Sequence, residues 1–372
     1  MLPVSKPSIG REELEAVERV FNSAWLGMGS KVFEFEEALK GYLGSKYLIA
    51  VNTGTTALHV ALDACGIGIG DEVIVPSLTF CATIQAITAL GATPVFCEVA
   101  PENLNMVVAD VISRITPKTK AIIPVHYCGN PCDMDQLLSI GRGCRIRIIE
   151  DAAHAFGSSY KGRKIGSFGD ITCFSFDPIK NITCGEGGAV AVNDAELAEE
   201  IRRKRILGID KDTWHRYRNE RSWFYEVTTQ GYRYHLSNIN AAIGLVQLKK
   251  LEEFLLKKRT IVASYQRSFA DLPGLALLEW NIEETAPFTY IVRVCNGRRD
   301  EAMEFLERRE IGTGVHYVPN HIQPYFAKYA GQLPVTDRLW REIMTLPLYY
   351  DMSEGDVAHV ISSVKEFFER DS

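Results

Sequence analysis

Between Tyr47 and Val192 the chain alternates short, almost continuously apolar runs with longer segments of helical period. "YLIAV" leads to "TALHVALDACG", "EVIVP" to "CATIQAITALG", and "PVFCEV" to a segment ending at "ISRIT". "KAIIPVH" then leads to "MDQLLSIG", followed by "RIRIIEDAA", "DITCFSF" and "GAVAV". Runs that lack polar alternation suit strands buried on both faces. Strands separated by helices of this length predict an α/β fold with a mainly parallel central sheet.

A helix starting near Asp194 and the charged stretch "DKDTWHRYRNERSW" close this region. The amphipathic pattern "SNINAAIGLVQLKKLEEFLLKKRTIVASYQRSF" predicts one long helix leading to a smaller C-terminal α/β unit. That unit holds the strand-like "TYIVRVC", the helix-like "RDEAMEFLERREI", the loop "GTGVHYVPNHIQPYF" and a closing helix near "VAHVISSVKEFF". The expected division is a large domain over 1–245 and a small one over 246–372, without internal repeats or low-complexity tracts.

Composition narrows the function classes. A hydrophobic content of 46% with 24% charged residues suits a globular chain with a substantial core. The net charge of −6 argues against a nucleic-acid partner. The basic run Arg202, Arg203, Lys204 and Arg205 follows Glu199 and Glu200, so it reads as a solvated, partly paired helix face. Nine cysteines at irregular spacing, with no secretory signal, read as reduced thiols of a cytoplasmic protein. His126, Cys128 and Cys132 lack the second half of a metal site, so loop packing is the better reading and no metal is expected. No apolar run reaches the ~18 residues that span a bilayer, so no membrane association is expected.

In open α/β sheets, ligands gather beyond the carboxyl ends of the strands, and four loops there have unusual composition. After "YLIAV", Gly54, Thr55 and Thr56 stand where a helix begins; exposed N–H groups and two hydroxyls suit a phosphate, although an ordinary threonine cap reads equally well. After "RIRII" come Glu150, Asp151 and His154, and a carboxylate there can hold a protonated ring nitrogen or simply cap a helix. Phe80 in "PSLTFCAT" can stack on a planar ring or fill core space. The fourth loop, "DPIKNITCGEGG", places Lys180 just after the strand that carries Ser175 and before a glycine cluster. Near a cofactor cation a lysine is favoured in its neutral, nucleophilic form. Two other glycine signals are rejected. "GIGIGDEVIVP" precedes a strand instead of following one, and "CGEGG" lacks a following Lys-Ser or Lys-Thr.

Taken together, "GIGIGDEVIVPSLTFCAT", "TKAIIPVHYCGNPCDMD", "IEDAAHAFGSSYKGRKIGSFGDITCFSF" and "KNITCGEGGAV" resemble the DegT/DnrJ/EryC1/StrS sugar aminotransferases, fold-type-I enzymes that use pyridoxal 5'-phosphate. The resemblance runs from "WLGMGSKVFEFEEAL" to the last helix, and "EDAAHA", "KNITC" and "IGTGVHY" are most similar to the enzymes that make UDP-4-amino-4-deoxy-L-arabinose. It implies that Lys180 carries the cofactor covalently and shuttles protons, while Asp151 holds the pyridinium nitrogen. His154, where many relatives have Gln, would contact the ring; Phe80 would stack on it; Gly54, Thr55, Thr56 and Ser175 would hold its phosphate. A "GYNYR"-type loop would come from the neighbouring subunit of a homodimer with active sites at the interface. Here that loop reads "GYRYHLSN", with Arg233 and His235 at the usual Asn and Arg positions, and Asp177 replaces a frequent His three residues before the lysine.

The implied reaction moves an amino group from L-glutamate to a nucleotide-linked ketosugar at C4, with pyridoxamine 5'-phosphate as the aminated form of the cofactor. A related branch that replaces the lysine with His performs dehydration, so Lys180 favours transamination. The sugar nucleotide is expected between the "AWLGMGS" loop (Trp25, Gly27, Met28) and the "HYVPNHIQPYF" loop (His316, Tyr317, His321). Two alternatives are transamination of a non-nucleotide cyclitol or antibiotic sugar, and a non-catalytic regulatory protein that binds the same cofactor.

Overall fold

The structure is a computed structural model that describes residues 1–209, 225–295 and 297–369. The expected charged stretch "DKDTWHRYRNERSW" lies outside the described residues. A seven-stranded sheet runs in the order β1-β9-β8-β5-β4-β2-β3. Its strands are β1 (Tyr47–Val51), β2 (Glu72–Pro76), β3 (Thr93–Cys97), β4 (Thr119–Ile122), β5 (Arg147–Asp151), β8 (Ile171–Ser175) and β9 (Gly188–Val192), while β6 (Ser159–Tyr160) and β7 (Arg163–Lys164) form a separate small hairpin.

Alternation along the strands feeds two apolar layers. Leu48, Ala50, Phe174, Ala189 and Ala191 face one cluster, with Phe35 and Leu39 of α2 (Ser30–Leu43). Ile49, Val51, Cys173, Val190 and Val192 face the other, with Leu58 and Leu62 of α3 (Gly54–Ala64) and Ile84 of α4 (Cys81–Ala89). The continuous apolar runs therefore reflect a sheet covered on both faces.

Six strands are parallel in direction, and β9 alone runs antiparallel to both its neighbours, β1 and β8. The reason is the connection. Residues 176–187 contain no helix to carry the chain back across the sheet, so β9 returns directly along β8. The carboxyl ends of β1, β2, β5 and β8 thus meet the start of β9 at one edge.

A second sheet, β10 (Leu275–Leu277), β11 (Tyr290–Val294) and β12 (Ile343–Leu346), is antiparallel. Its core includes Ile261, Tyr265 and Phe269, from the second half of the long helix α8 (Asn238–Phe269), and Val360 and Val364 of the closing helix. The helix α8 crosses the expected boundary at residue 245 without a break. The N-terminal strand-like segment also joins the C-terminal unit, where Leu2 bridges Ile311 and the Val4 carbonyl accepts from Leu348 N–H.

The basic run differs from expectation. Arg202 and Arg203 pair with Glu199 and Glu200 at the surface, but Lys204 and Arg205 are buried. The Arg205 guanidinium donates to the Glu36 carboxylate and to the Ala50 carbonyl, and the Ala50 N–H donates to the same carboxylate. The pair therefore satisfies both outward backbone groups of Ala50 on edge strand β1, a position that otherwise invites non-native pairing. Arg205→Ala should lower stability by about 3–5 kcal/mol, read as a shift in the urea midpoint, because it strands a buried carboxylate. Replacing Arg205 and Glu36 together with Met should cost clearly less. Equal losses in the two variants would show that the charges do not act as a pair.

Candidate active site

The helix-free β8–β9 connection is closed by backbone bonds, from Cys184 N–H to the Phe176 carbonyl and from Phe176 N–H to the Gly187 carbonyl. Lys180 lies at its turn, its N–H donating to the Asp177 carbonyl over 3.0 Å. Helix α8 holds the far side of this loop. Asn240 donates to the Cys184 carbonyl at 2.7 Å, and the Gln247 side chain accepts from Thr183 N–H at 3.4 Å.

The Lys180 ammonium sits 4.1 Å from the centre of the Phe288 ring. Burial pulls it down to about 8, against the opposing pull of the Asp177 and Asp151 carboxylates. A lysine poised there has a substantial neutral fraction near pH 8, which is what a nucleophilic amine requires.

Asp151 ends β5 and is 4% exposed. Its carboxylate accepts from the Thr83 hydroxyl at 2.7 Å and from Ala153 N–H at 3.1 Å, which fixes its plane. Burial pushes this carboxyl above its ordinary value, while Thr83, Ala153, Lys180 and His126 favour the ionised form. His154 is also buried; its Nε2 lies 3.0 Å from the Tyr317 hydroxyl, and its ring stacks on Phe288 at 4.2 Å between centroids. Burial, with help from Lys180 and His316, holds His154 well below its usual value, so the imidazole is neutral. Its buried Nδ1 has no hydrogen-bond partner among the described residues. Tyr317 also lies 5.5 Å from Phe80, which is 54% exposed at the start of α4. One chain of contacts thus runs from Lys180 through Phe288, His154 and Tyr317 to Phe80.

The start of α3 faces the end of β8 closely. A Cβ on Gly54 would come within 2.7 Å of the Ser175 Cβ, and one on Gly188 within 2.3 Å of the Thr53 carbonyl oxygen, so both positions require glycine for space. Thr53 caps the helix in a reciprocal arrangement with Thr56. The Thr56 hydroxyl is engaged within that cap, with Asn52 and the Thr53 carbonyl at 2.8 and 2.9 Å. Gly54, Thr55 and Ser175 therefore present the helix N-terminus, and Thr56 shapes it.

The remaining expected residues divide. Trp25 donates from Nε1 to the Met28 carbonyl, and Asn238 at the start of α8 donates to the Trp25 carbonyl while its N–H reaches the Leu26 and Gly27 carbonyls. Gly27 is exposed and Met28 buried. His316 Nδ1 lies 2.8 Å from the Thr345 hydroxyl, and burial with the nearby Lys180 pulls its imidazole down to about 4. His321 is 5% exposed, with Nδ1 at 2.7 Å from the Ser77 hydroxyl and Nε2 at 3.1 Å from Asp337. Both its ring nitrogens are engaged, so in this conformation it ties its loop to the end of β2. Arg233 is exposed, its backbone bridged to Ile206 beyond the outer edge of β1, and His235 bridges Val51. Among the described residues no His, Cys, Asp and Glu cluster could hold a metal. His126 instead faces the buried Glu150 at 3.0 Å and accepts from Cys132 N–H at 3.1 Å.

These residues fit a phosphorylated pyridine aldehyde. Its demands are a partly neutral lysine, a buried carboxylate for a cationic ring nitrogen, an unpartnered polar atom (His154 Nδ1) and an anion-receptive helix N-terminus, and all four are present. Sequence reasoning missed Phe288 and Thr83. Thr83 had a usable signal, as it lies one helical turn beyond Phe80; Phe288 had none, because only the fold brings it to Lys180.

The model of the DegT/DnrJ/EryC1/StrS aminotransferase family matches residues 7–365. The spore coat polysaccharide biosynthesis protein SpsC of Bacillus subtilis is 40% identical, over 98% of this chain and 96% of its own. The sugar aminotransferase CalS13 of Micromonospora echinospora is 32% identical with a TM-score of 0.91, covering 98% of this chain and 100% of that one. Spr1654 of Streptococcus pneumoniae, solved in a PMP form, is 31% identical with a TM-score of 0.94 over 100% of both chains. The chain belongs to the DegT/DnrJ/EryC1/StrS aminotransferase family, whose members depend on pyridoxal 5'-phosphate.

Proposed function

We propose that this protein transfers an amino group from L-glutamate to a nucleotide-linked ketosugar, at C4. The observation that carries the reading is Lys180, drawn to about 8 by burial, on one edge with the Asp151 carboxylate and the α3 N-terminus. Similarity to a polysaccharide biosynthesis protein and to a sugar aminotransferase supports the sugar.

When bound, the cofactor supplies an electron sink for the carbon that loses or gains a proton. Lys180 would hold it, and its amine, once free, would move a proton at the substrate carbon as general base and acid. Asp151, its plane fixed by Thr83 and Ala153, keeps the ring nitrogen protonated. Phe80 and His154 would confine the ring, and the neutral His154 would be able to hydrogen-bond to it without adding charge. Gly54, Thr55 and Ser175 receive the phosphate at the positive end of α3, with Thr56 fixing that end.

The sugar nucleotide is assigned to the space between the Trp25–Met28 and His316–His321 segments, with His316 and Tyr317 in contact and His321 holding the loop. Arg233, exposed and bridged through its backbone to Ile206, is assigned to the partner's site in a homodimer. The nine free thiols support a cytoplasmic location. The test is a panel of UDP-, dTDP- and GDP-linked 4-keto and 3-keto sugars with glutamate, following 2-oxoglutarate release and the aminated sugar by mass spectrometry. Amination of none of them, with glutamate still converting the bound cofactor, would remove the nucleotide-sugar assignment.

A further inference from the structure

Lys258 of helix α8 carries its ammonium into the interior: the residue is 6% exposed and, among the described residues, has no carboxylate partner. Burial alone pulls it down to about 8. A buried ammonium without a counter-ion is costly, and a leucine or methionine would fill the same space without that cost. Its ammonium donates over 3.0 Å to the Oδ1 of Asn181, the residue directly after Lys180. The Asn181 amide is itself fixed, because Nδ2 donates to the carbonyls of Phe156 and Ala286, each at 3.2 Å. Those two bonds leave Oδ1 as the atom that must meet a donor, which among the described residues Lys258 supplies. Ala286 lies two residues before Phe288, the ring beneath Lys180 and His154.

We infer that Lys258 is a positioning residue, which sets the reactive lysine by clamping Asn181 between helix α8 and the segment that carries Phe288. Asn240, Gln247 and Lys258 are spaced by two and three helical turns, so all three lie on one face of α8 and hold Cys184, Thr183 and Asn181 in turn. Lys258 is the member of this row nearest Lys180 in sequence contact. It never touches cofactor or substrate in this role; it acts through Asn181. The inference rests on Lys180 being the cofactor-bearing residue.

The test uses Lys258→Met, Asn181→Ala and the double variant as purified holoenzymes. Borohydride reduction and peptide mapping of the wild type come first, and an adduct absent from Lys180 would remove the site reading itself. With that adduct found, Lys258→Met should lower kcat of the glutamate half-reaction by about 10–100-fold, because small misplacements of a reacting group are expensive, with KM nearly unchanged. Hydrogen exchange of the peptide spanning 176–187 should quicken, while β5 keeps its protection. Tm should change little, since losing the buried charge offsets the acceptor left unpaired on Asn181. The double variant should be no slower than the worse single variant. Wild-type kcat and exchange in Lys258→Met, additive losses in the double variant, or a kcat loss that follows a lowered Tm would each overturn the inference.

Discussion

Lys180→Ala should eliminate turnover, because it removes the nucleophilic amine together with a proton transfer that by itself contributes about 10²–10⁴-fold to rate. The loss should fall on both half-reactions, because the same amine moves the proton in each. The fold should survive. Lys180 makes no ion pair among the described residues and its backbone bond to Asp177 is kept, while removing a partly buried ammonium relieves a desolvation cost. Borohydride should fix the cofactor to wild-type Lys180 and leave the variant unlabelled, so an adduct on another lysine would refute the assignment. The environment also sets a pH dependence. Below about 8 the amine is mostly protonated, so cofactor capture by the stripped protein should rise about tenfold per pH unit and flatten above about pH 8. A profile still rising steeply at pH 10 would mean that the burial of Lys180 does not lower its proton affinity.

Asp151→Asn should lose about 10²–10³-fold in kcat, the usual scale for removing one preorganised electrostatic partner. Asn is nearly isosteric, and its side-chain oxygen can still accept from Thr83 or Ala153, so the β5 end keeps its shape. What changes is charge: an amide cannot hold a ring nitrogen in its protonated form as a carboxylate does. The two roles of Asp151 separate by melting temperature. Without cofactor the variant should melt no lower than wild type, since burial disfavours the carboxylate it replaces. With cofactor bound, the variant should gain less stability than wild type. Full activity with bound cofactor would remove Asp151 from the mechanism, and a large drop in Tm without cofactor would assign it to structure alone.

Most of the large sheet was legible because its strands are short apolar runs punctuated by loops of distinctive composition. Lys180, Asp151, Phe80 and Gly54 each stand within a few residues of a strand end, so the strand-end rule made them candidates, and the family resemblance joined them into one site. The direction of β9 was not legible from its own residues, since "GAVAV" suits either direction; the helix-free 176–187 connection decides it. Lys204 and Arg205 misled for a different reason. Their spacing after Glu199 and Glu200 is that of a solvated face, whereas Glu36 and Asp63, far away in sequence, draw them inward. Phe288, His154 Nδ1 and the clamp on Asn181 share this long-range character. Sequence patterns identify the groups that carry charge or bonds, and tertiary packing identifies those that aim them.

Helix α8 has a consequence for how the molecule comes apart. Its first half closes the lysine loop through Asn240 and Gln247, and its second half supplies Ile261, Tyr265 and Phe269 to the C-terminal core. A cut near residue 245 would end one piece in an unsupported helical stub and open the other with its core helix shortened. Neither fragment should therefore accumulate as a soluble, independently folded product when expressed alone. Heat should likewise melt both units in a single calorimetric transition, because the rod that aims the lysine is also the spine of the smaller half.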